Sequence, residues 1–254
     1  MKVVVVGGTG LIGTKLVARL RAHGHEAIAA SPARGVDAFT GDGLGQAMQG
    51  AAVVVDVSNA RSTEPAAILN FFTTSTRNLL AAEAVAGVRH HVALSIVGTE
   101  RHQESPYYGA KSAQERLILS GPIPFTVVHA TQFFEFLQRI ADRATTGNVV
   151  RVSSAFVQPV AADDVATMME RVALGPPANT VIELAGPEAF RLDDVIRRRL
   201  AAMDDPREVI GDPGTPYAGA PLQERTLLPG PRAELGATSF EDWIAQNATS
   251  PSAR

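Results

Sequence analysis

The 254-residue sequence predicts an α/β fold with a doubly wound parallel sheet. Five segments rich in Val, Ile and Ala are apolar almost throughout, which is typical of strands that helices cover on both faces of a parallel sheet. Segments with helical character lie between them. This alternation along the chain favours a doubly wound sheet over separate helical and strand regions.

The predicted strands cover residues 2–7, 26–31, 53–58, 91–97 and 125–130, and the predicted helices cover residues 11–23, 66–86 and 106–120. Gly24 and Gly87 follow the first two helices, where a left-handed cap favours glycine. Ser105 and Pro106 have the residue types that begin a helix. Local signals and the overall pattern therefore agree over this half of the chain.

Beyond Thr131 the pattern is less regular. Residues 162–174 are a predicted helix that begins near Asp163 and Asp164, and residues 180–184 are a further predicted strand. Segment 211–236 is dense in Pro and Gly, and a loop of this length either covers a functional site or is mobile. We expect a disordered tail over residues 248–254.

The composition excludes several classes of function. Lys and Arg total 23 against 26 Asp and Glu, so the chain has no excess positive charge with which to bind nucleic acid or an anionic membrane. The absence of cysteine excludes disulfides and thiol chemistry, and the six histidines lack the spacing of a metal-ligand set. Because of this spacing we expect no metal. The apolar run after Met1 is too short for a signal peptide, so we expect a cytoplasmic protein.

A glycine motif lies directly after the first predicted strand and opens the first helix, as a dinucleotide-binding loop requires. Gly7 allows a tight turn, Gly10 lets the backbone approach a pyrophosphate, and Gly13 lets the helix lie close to the sheet. The helix N-terminus offers free N–H groups to phosphate. We expect a nicotinamide dinucleotide over the loop formed by Gly7, Gly8, Thr9, Gly10, Leu11, Ile12 and Gly13.

The end of the second predicted strand bears on the choice between NADP and NAD. A site that prefers NAD usually has an acidic residue there, which binds the ribose 2′-hydroxyl. This chain has Ser31, with Arg34 close behind. A hydroxyl and a guanidinium favour the 2′-phosphate of NADP. The alternative is that Arg34 is a solvated loop residue.

Tyr107 and Lys111 are four residues apart on one predicted helix, and therefore one turn from each other. An ammonium near a phenol favours the ionised phenol, which makes the tyrosine a better proton shuttle. Ser95, at the end of the preceding predicted strand, adds a third polar group. The pattern indicates acid and base chemistry.

Several motifs together carry a resemblance to a known family. They are GGTGLIG at 7–13, TGD at 40–42, LSIVG at 94–98, YxxxK at 107–111, PVAADDV at 159–165 and ELAGP at 183–187. On these motifs the chain resembles the atypical short-chain dehydrogenase/reductases, in particular the NmrA-like group. The resemblance covers most of the chain up to about residue 202.

The resemblance implies a role for several residues toward the cofactor. Asp42 would approach the adenine, while Asn59 and Ala60 would line the cofactor path. Lys111 would hold the hydroxyls of the nicotinamide ribose. The backbone near Thr131 would pass the nicotinamide, although His129 and Ala130 stand where relatives usually have an arginine and a proline.

The resemblance also implies roles toward the substrate. Tyr107 would donate or accept the substrate proton, and Ser95 would hydrogen-bond the substrate oxygen. Relatives often carry two or three hydroxyl residues in this motif, whereas Ile96 and Val97 follow the single serine here. Thr99 is the alternative hydroxyl, and Ser95 would then only cap the strand end.

An aromatic cluster follows the fifth predicted strand. Phe133 and Phe136, with Phe156 later, form either an apolar wall of a substrate pocket or plain core. Phe134 belongs to the same cluster. Gln132 and Glu135 are candidate polar contacts within it.

We therefore expect one Rossmann-type NAD(P)-binding domain over residues 1–254, with a small C-terminal substrate-covering lobe built mainly from 133–158 and 178–245. The leading hypothesis is an oxidoreductase that uses NADPH in preference to NADH and transfers hydride to a carbonyl, quinone or enone-type small molecule. A homodimer is a further expectation. One alternative is a non-catalytic dinucleotide-sensing regulatory protein. Another is an epimerase, which ranks last because little C-terminal region remains for a nucleotide sugar.

Overall fold

Strands and helices alternate along residues 1–247, the part of the chain that the computed structural model describes. The strands are β1 Lys2–Val6, β2 Glu26–Ala30, β3 Val53–Asp56, β4 His90–Ile96, β5 Phe125–Ala130, β6 Thr145–Thr146, β7 Val149–Val152, β8 Phe156–Val157, β9 Val181–Ala185, β10 Phe190–Arg191, β11 Glu208–Gly211 and β12 Glu234–Leu235. The helices are α1 Leu11–Ala22, α2 Leu44–Met48, α3 Pro65–Ala86, α4 Pro106–Leu119, α5 Leu137–Arg143, α6 Ala162–Leu174, α7 Leu192–Ala201 and α8 Phe240–Asn247. The expected tail at 248–254 lies outside the described residues.

The central sheet has seven strands in the spatial order β12-β9-β5-β4-β3-β1-β2, and every pairing in it is parallel. This confirms the predicted Rossmann-type doubly wound sheet. The strand order reverses between β1 and β3, which are neighbours with Val6 opposite Asp56. In such sheets the crevice at the carboxyl ends of the strands on either side of the reversal is where ligands bind.

Helices cover both faces of this sheet, as the apolar strands predict. Packing of α1 against α6 covers one face, with Leu16 and Met169 among the buried side chains. Packing of α3 against α4 covers the other face. The four valines of β1 are at most 4% exposed, because the strand lies between the two helical layers.

A second, smaller core lies beside the sheet in the C-terminal half. It is formed by α5, α7 and α8 with a three-stranded sheet of order β11-β7-β6, and Phe134, Phe240 and Trp243 lie at its centre. The range 178–245, which was expected to belong to this lobe, also contributes to the main sheet. The reason is that β9 pairs with β5 and β12 pairs with β9, and Leu184 and Ala185 are buried there.

Segment 211–236 covers the loop that precedes α4. The Arg101 guanidinium donates hydrogen bonds of 3.1 and 2.7 Å to the carbonyl oxygens of Thr226 and Leu228. The Ser105 hydroxyl donates to the Ala218 carbonyl oxygen at 2.6 Å. Of the two interpretations of this segment, the contacts favour a covering element. No helix within residues 1–247 has both the length and the apolar character needed to cross a membrane.

Candidate functional site

The glycine loop between β1 and α1 is shaped by close backbone contacts. Gly7 has φ of 77°, and a Cβ there would lie 2.8 Å from the Ser58 Cα atom. A Cβ on Gly13 would lie 2.2 Å from the Gly7 carbonyl oxygen. Gly10 is the N-cap of α1 and offers no side-chain cap. The first turn of α1 therefore keeps its N–H groups for an anion at the crevice.

Two serine hydroxyls flank the crevice without partners. Ser31 follows β2 and is 6% exposed, and its Oγ has no hydrogen-bond partner among residues 1–247. The Oγ of Ser58, just after β3, is likewise buried and unpartnered within that part of the chain. Buried polar atoms are normally hydrogen-bonded, so both atoms are available to a ligand. Sequence reasoning selected Ser31 and missed Ser58, although Ser58 is next to Asn59.

The predicted adenine side is a short ordered loop. The Thr40 hydroxyl donates to Asp42 Oδ2 at 2.7 Å. The Asn78 amide of α3 donates to the carbonyl oxygens of Ala38 and Phe39 at 3.0 and 2.9 Å. Asp42 is exposed, and so is Arg34 on the turn after β2. Their roles toward a cofactor stay predictions.

Tyr107 lies in the first turn of α4. Its hydroxyl donates a 3.1 Å hydrogen bond to Asn59 Oδ1, which brings two of the predicted site residues together. Its ring meets the Phe72 ring edge-on at 5.9 Å between centroids, and Ala60 packs in the same cluster. Burial raises the pKa of Tyr107 to about 12, and the Asn59 contact opposes this only partly. The sequence indicated a lowered pKa for Tyr107, but burial raises it and the Lys111 ammonium is bonded to Leu94 and Gln114 instead, so the phenol is protonated.

Lys111 is buried between α4 and the sheet. Its Nζ donates to the Leu94 carbonyl oxygen at 3.0 Å and also to Gln114 Oε1. Burial lowers the pKa of Lys111 to about 8, while Asp56 and Glu115 act in the opposite direction. The Gln114 amide in turn donates to Asp56 Oδ2 at 2.9 Å. The ammonium thus belongs to a polar layer that links α4 to the end of β3.

Ser95 points into the same layer. Its hydroxyl donates to the Glu115 carboxylate, which also accepts from His129 Nε2 at 3.0 Å and from the Thr99 hydroxyl at 3.2 Å. The two candidate hydroxyls, Ser95 and Thr99, therefore share one partner. Sequence reasoning missed Glu115. Its spacing of four residues from Lys111 was the available signal.

The aromatic cluster after β5 divides into core and surface. Phe134 is buried against Phe240 and Trp243, with ring centroids 5.4 Å away in both cases. Phe133 and Phe136 stack at 5.3 Å, and Phe136 is 38% exposed. Phe134 therefore belongs to the core. In the stacked pair of Phe133 and Phe136, the Phe136 ring remains exposed.

Phe156, the fourth predicted aromatic, lies in the C-terminal lobe. The Arg191 guanidinium lies 4.2 Å from its ring centroid. This is a cation–π contact within the lobe. A role for Phe156 toward substrate stays a prediction.

The polar residues predicted near the substrate have different partners. Gln132 donates to the Tyr108 hydroxyl at 3.3 Å, and its Oε1 is buried without a partner in residues 1–247. Thr131 donates its hydroxyl proton to the Gln158 carbonyl oxygen at 2.6 Å. Glu135 accepts from the Ala162 N–H at the start of α6, at 3.1 and 3.2 Å, which is the position of a helix cap. Glu135 thus has a structural partner, whereas Gln132 has an acceptor left for a ligand.

The sheet order and the glycine crevice define the class of fold. The chain has a Rossmann-type fold that it shares with solved NAD(P)-binding proteins. MoeE5 in complex with UDP-glucose and NAD matches with a TM-score of 0.76 and 16% identity over 98% of this chain and 97% of that chain. A short-chain dehydrogenase/reductase superfamily protein from Agrobacterium tumefaciens with bound NAD matches with a TM-score of 0.72 and 17% identity over 98% and 96%.

A third solved structure extends the comparison to the other dinucleotide. The dTDP-4-dehydrorhamnose reductase from Bacillus anthracis in complex with NADP has a TM-score of 0.70 and 12% identity over 87% of each chain. Both NAD and NADP thus occur in proteins of this fold. The structural comparison therefore shows a shared fold and does not single out the NmrA-like group.

The curated proteins that match in sequence are distant relatives. No family model matches the chain. The photosystem II assembly factor Ycf39 of Synechocystis is 24% identical over 151 residues, which are 54% of this chain and 46% of that protein. The protein of the same name from Cyanophora paradoxa is 22% identical over 218 residues, which are 78% of this chain and 67% of that protein. The chain therefore spans about half the length of the first of these relatives.

Proposed function

We propose that this protein is an NAD(P)-dependent oxidoreductase whose substrate is a small carbonyl, quinone or enone-type molecule. The observation that carries the proposal is the pair Tyr107 and Lys111 on α4, with the Tyr107 hydroxyl bonded to Asn59 at the carboxyl end of β3. A phenol that carries a proton and is bonded to a residue at the carboxyl end of a central strand supports this proposal, because ligands bind at that end of such sheets. Fold alone would not support an activity.

The residues around the crevice fit a dinucleotide. The first turn of α1 would hold the pyrophosphate, and a Cβ on Gly7 would fill the space against Ser58. Ser31 and Arg34 would hold the 2′-phosphate of NADP, because Ser31 Oγ is unpartnered in the described chain and residues 31–36, directly after β2, include no carboxylate that would repel the phosphate. Asp42, Asn59 and Ala60 would line the adenosine and ribose path. When bound, the nicotinamide supplies or accepts the hydride.

Tyr107 and Lys111 would carry out the proton transfer to the substrate. The raised pKa of Tyr107 keeps the phenol protonated at neutral pH, so it can donate to a substrate oxygen that becomes negative. Lys111, with its pKa lowered to about 8, stays largely charged at neutral pH and would stabilise the phenolate that remains. The Tyr107 hydroxyl must turn from Asn59 toward the substrate to do this.

The first test is a calorimetric titration of the full chain with NADPH and NADH in parallel. Tight binding of NADPH, with weaker binding of NADH, is the expected result. Steady consumption of NADPH in a panel of aldehydes, ketones, enones and quinones would then support turnover. Binding of neither dinucleotide would overturn the proposal.

A second candidate function is a non-catalytic protein that binds a dinucleotide and acts through a partner. The observation that favours it is that the curated relatives are named as assembly factors. Saturable dinucleotide binding without consumption across the panel is the result this candidate predicts. The epimerase alternative also gains support, since MoeE5 holds UDP-glucose on the same fold. A titration with UDP-glucose tests it directly.

A further inference from the structure

Glu115 is a buried carboxylate directly beneath the proposed active site. It is 8% exposed, on the face of α4 that packs on the sheet. Ser95 on β4 and His129 on β5 are register partners, and both donate to its Oε1. Thr99 donates to Oε2 at 3.2 Å. Three donors from the fold thus converge on this one side chain.

The charge of Glu115 is set by these neighbours. Burial acts to raise the pKa of Glu115, but the hydrogen bond and charge of His129, the Ser95 hydroxyl and the Lys111 ammonium together hold it below its ordinary value. The carboxylate is therefore ionised at neutral pH. An ionised carboxylate only accepts hydrogen bonds.

The ionised Glu115 carboxylate determines which hydrogen bonds Ser95 can make to a ligand. A serine hydroxyl has one proton and two lone pairs, and the proton of Ser95 is directed to Glu115 in a charge-assisted bond. Only lone pairs remain for the site. Gln132 adds a second buried acceptor, since its Oε1 is unpartnered in the described residues. A carbonyl oxygen, which only accepts, gains nothing from Ser95 in this state.

We propose that Glu115 is a positioning residue that accepts the Ser95 proton in a hydrogen bond. The Ser95 oxygen is then left to accept a hydrogen bond from the hydroxyl group of an alcohol substrate. The inference rests on the proposed function and deepens it. The substrate class that we infer is an alcohol together with the carbonyl compound formed from it. Ser95 favours binding of the alcohol, because only the alcohol has a proton to donate to the Ser95 oxygen. A quinone or enone, which brings no donor, would not use Ser95 before reduction.

The contact itself can be tested without substrate or cofactor. Carbon-13 NMR of the glutamate carboxyl groups in the full chain follows the titration of Glu115, with Glu115→Asp as the assignment variant. Ser95→Ala and His129→Leu should each raise the pKa of Glu115, because each removes a donor to its charged form. Glu104→Gln, an exposed change just before α4, should leave it unchanged. An unchanged Glu115 titration in Ser95→Ala would overturn the positioning contact.

The specificity can be tested on an alcohol and carbonyl pair found in the panel. Ser95→Ala should raise KM for the alcohol about tenfold, as expected for one lost hydrogen bond to a substrate, and leave KM for the carbonyl unchanged. Glu115→Gln should shift preference toward the carbonyl, because its amide N–H can bond Ser95 Oγ and release the serine proton. Equal KM changes for both substrates would overturn the proposal. A shifted Glu115 titration with no turnover of any pair would instead leave the contact standing and reject the proposed function.

Discussion

The Tyr107 hydroxyl donates a 3.1 Å hydrogen bond to Asn59 Oδ1, joining the first turn of α4 to the chain just after β3. These residues are 48 positions apart in sequence. The contact exists because β3 and β4 are parallel neighbours, so both carboxyl ends and the helix after β4 meet at one edge. It gives the phenol a defined position beside the crevice before any ligand arrives.

Replacing Tyr107 by Phe should abolish most turnover without loss of dinucleotide binding. The ring still packs on Phe72, so only the hydroxyl and its proton are removed. We expect kcat to fall at least about 100-fold, the usual range for a lost general acid. Turnover assays and calorimetry on the same preparation check both parts. Tyr108→Phe is the control, because Tyr108 is a neighbouring buried phenol; wild-type turnover in Tyr107→Phe would remove Tyr107 from the mechanism.

Replacing Arg34 by Ala should weaken NADPH binding by about tenfold and leave NADH binding nearly unchanged. The guanidinium is exposed, so its contribution to a 2′-phosphate is screened by water and salt. Parallel titrations at two salt concentrations measure the effect. Arg143→Ala, an exposed arginine on α5, is the matched control. Equal losses of affinity for NADPH and NADH would show that Arg34 does not bind the 2′-phosphate.

Replacing Gly13 by Ala should destabilise the fold and prevent dinucleotide binding. A Cβ there would lie 2.2 Å from the Gly7 carbonyl oxygen, so α1 must move away from the sheet. We expect a loss of about 2 kcal/mol, typical of overpacking, in urea unfolding. Gly45→Ala on α2 meets nothing within 4 Å and should be neutral or slightly stabilising. Similar stabilities for the two variants would contradict the packing argument.

Acidification should destabilise the protein through His90. This side chain is buried, with Nε2 at 2.9 Å from the Thr126 hydroxyl, and burial lowers its pKa from 6.5 to about 4. Its contribution to stability is therefore full above pH 6.5 and is lost as pH falls toward 4, by at most about 3 kcal/mol. His91, whose pKa is raised by Glu83 despite burial, contributes with the opposite sign. Urea unfolding between pH 7 and 4.5 should show a flatter dependence in His90→Gln, and an identical slope would rule this origin out.

The parts of the fold that the sequence predicts are those with local causes. The strands β1, β3, β4 and β5 are apolar almost throughout because both of their faces are buried. Gly7 and Gly13 mark two positions at which a Cβ would overlap with backbone atoms. The bounds of α1, α3 and α4 follow from caps and proline positions. The short strands of the C-terminal lobe have too few residues to show a period, so their pairing was not predictable.

The sequence predicts which elements carry the candidate site residues, and it predicts less about the hydrogen-bond partners of those residues. Tyr107, Asn59 and Ser31 stand where the motifs place them. The partner of Ser95, however, depends on which side chains of α4 face β4 and β5 after packing. Glu115 enters the site for that reason, and its spacing of four residues from Lys111 is the signal that the sequence holds.

The covering segment at 211–236 has a consequence for biosynthesis. Its bonds to Arg101 and Ser105 span 113 to 127 positions of sequence, and they fasten the loop from which the Tyr107 helix starts. Chains emerge from the ribosome N-terminus first. The residues of β1 to β5 and the glycine loop all lie within the first 130 positions, but α6, which covers one face of their sheet with α1, and the segment that fastens the start of the Tyr107 helix are made later. The Tyr107 helix is therefore translated in the first half of the chain, and the contacts that fasten its start become available only near the end of synthesis.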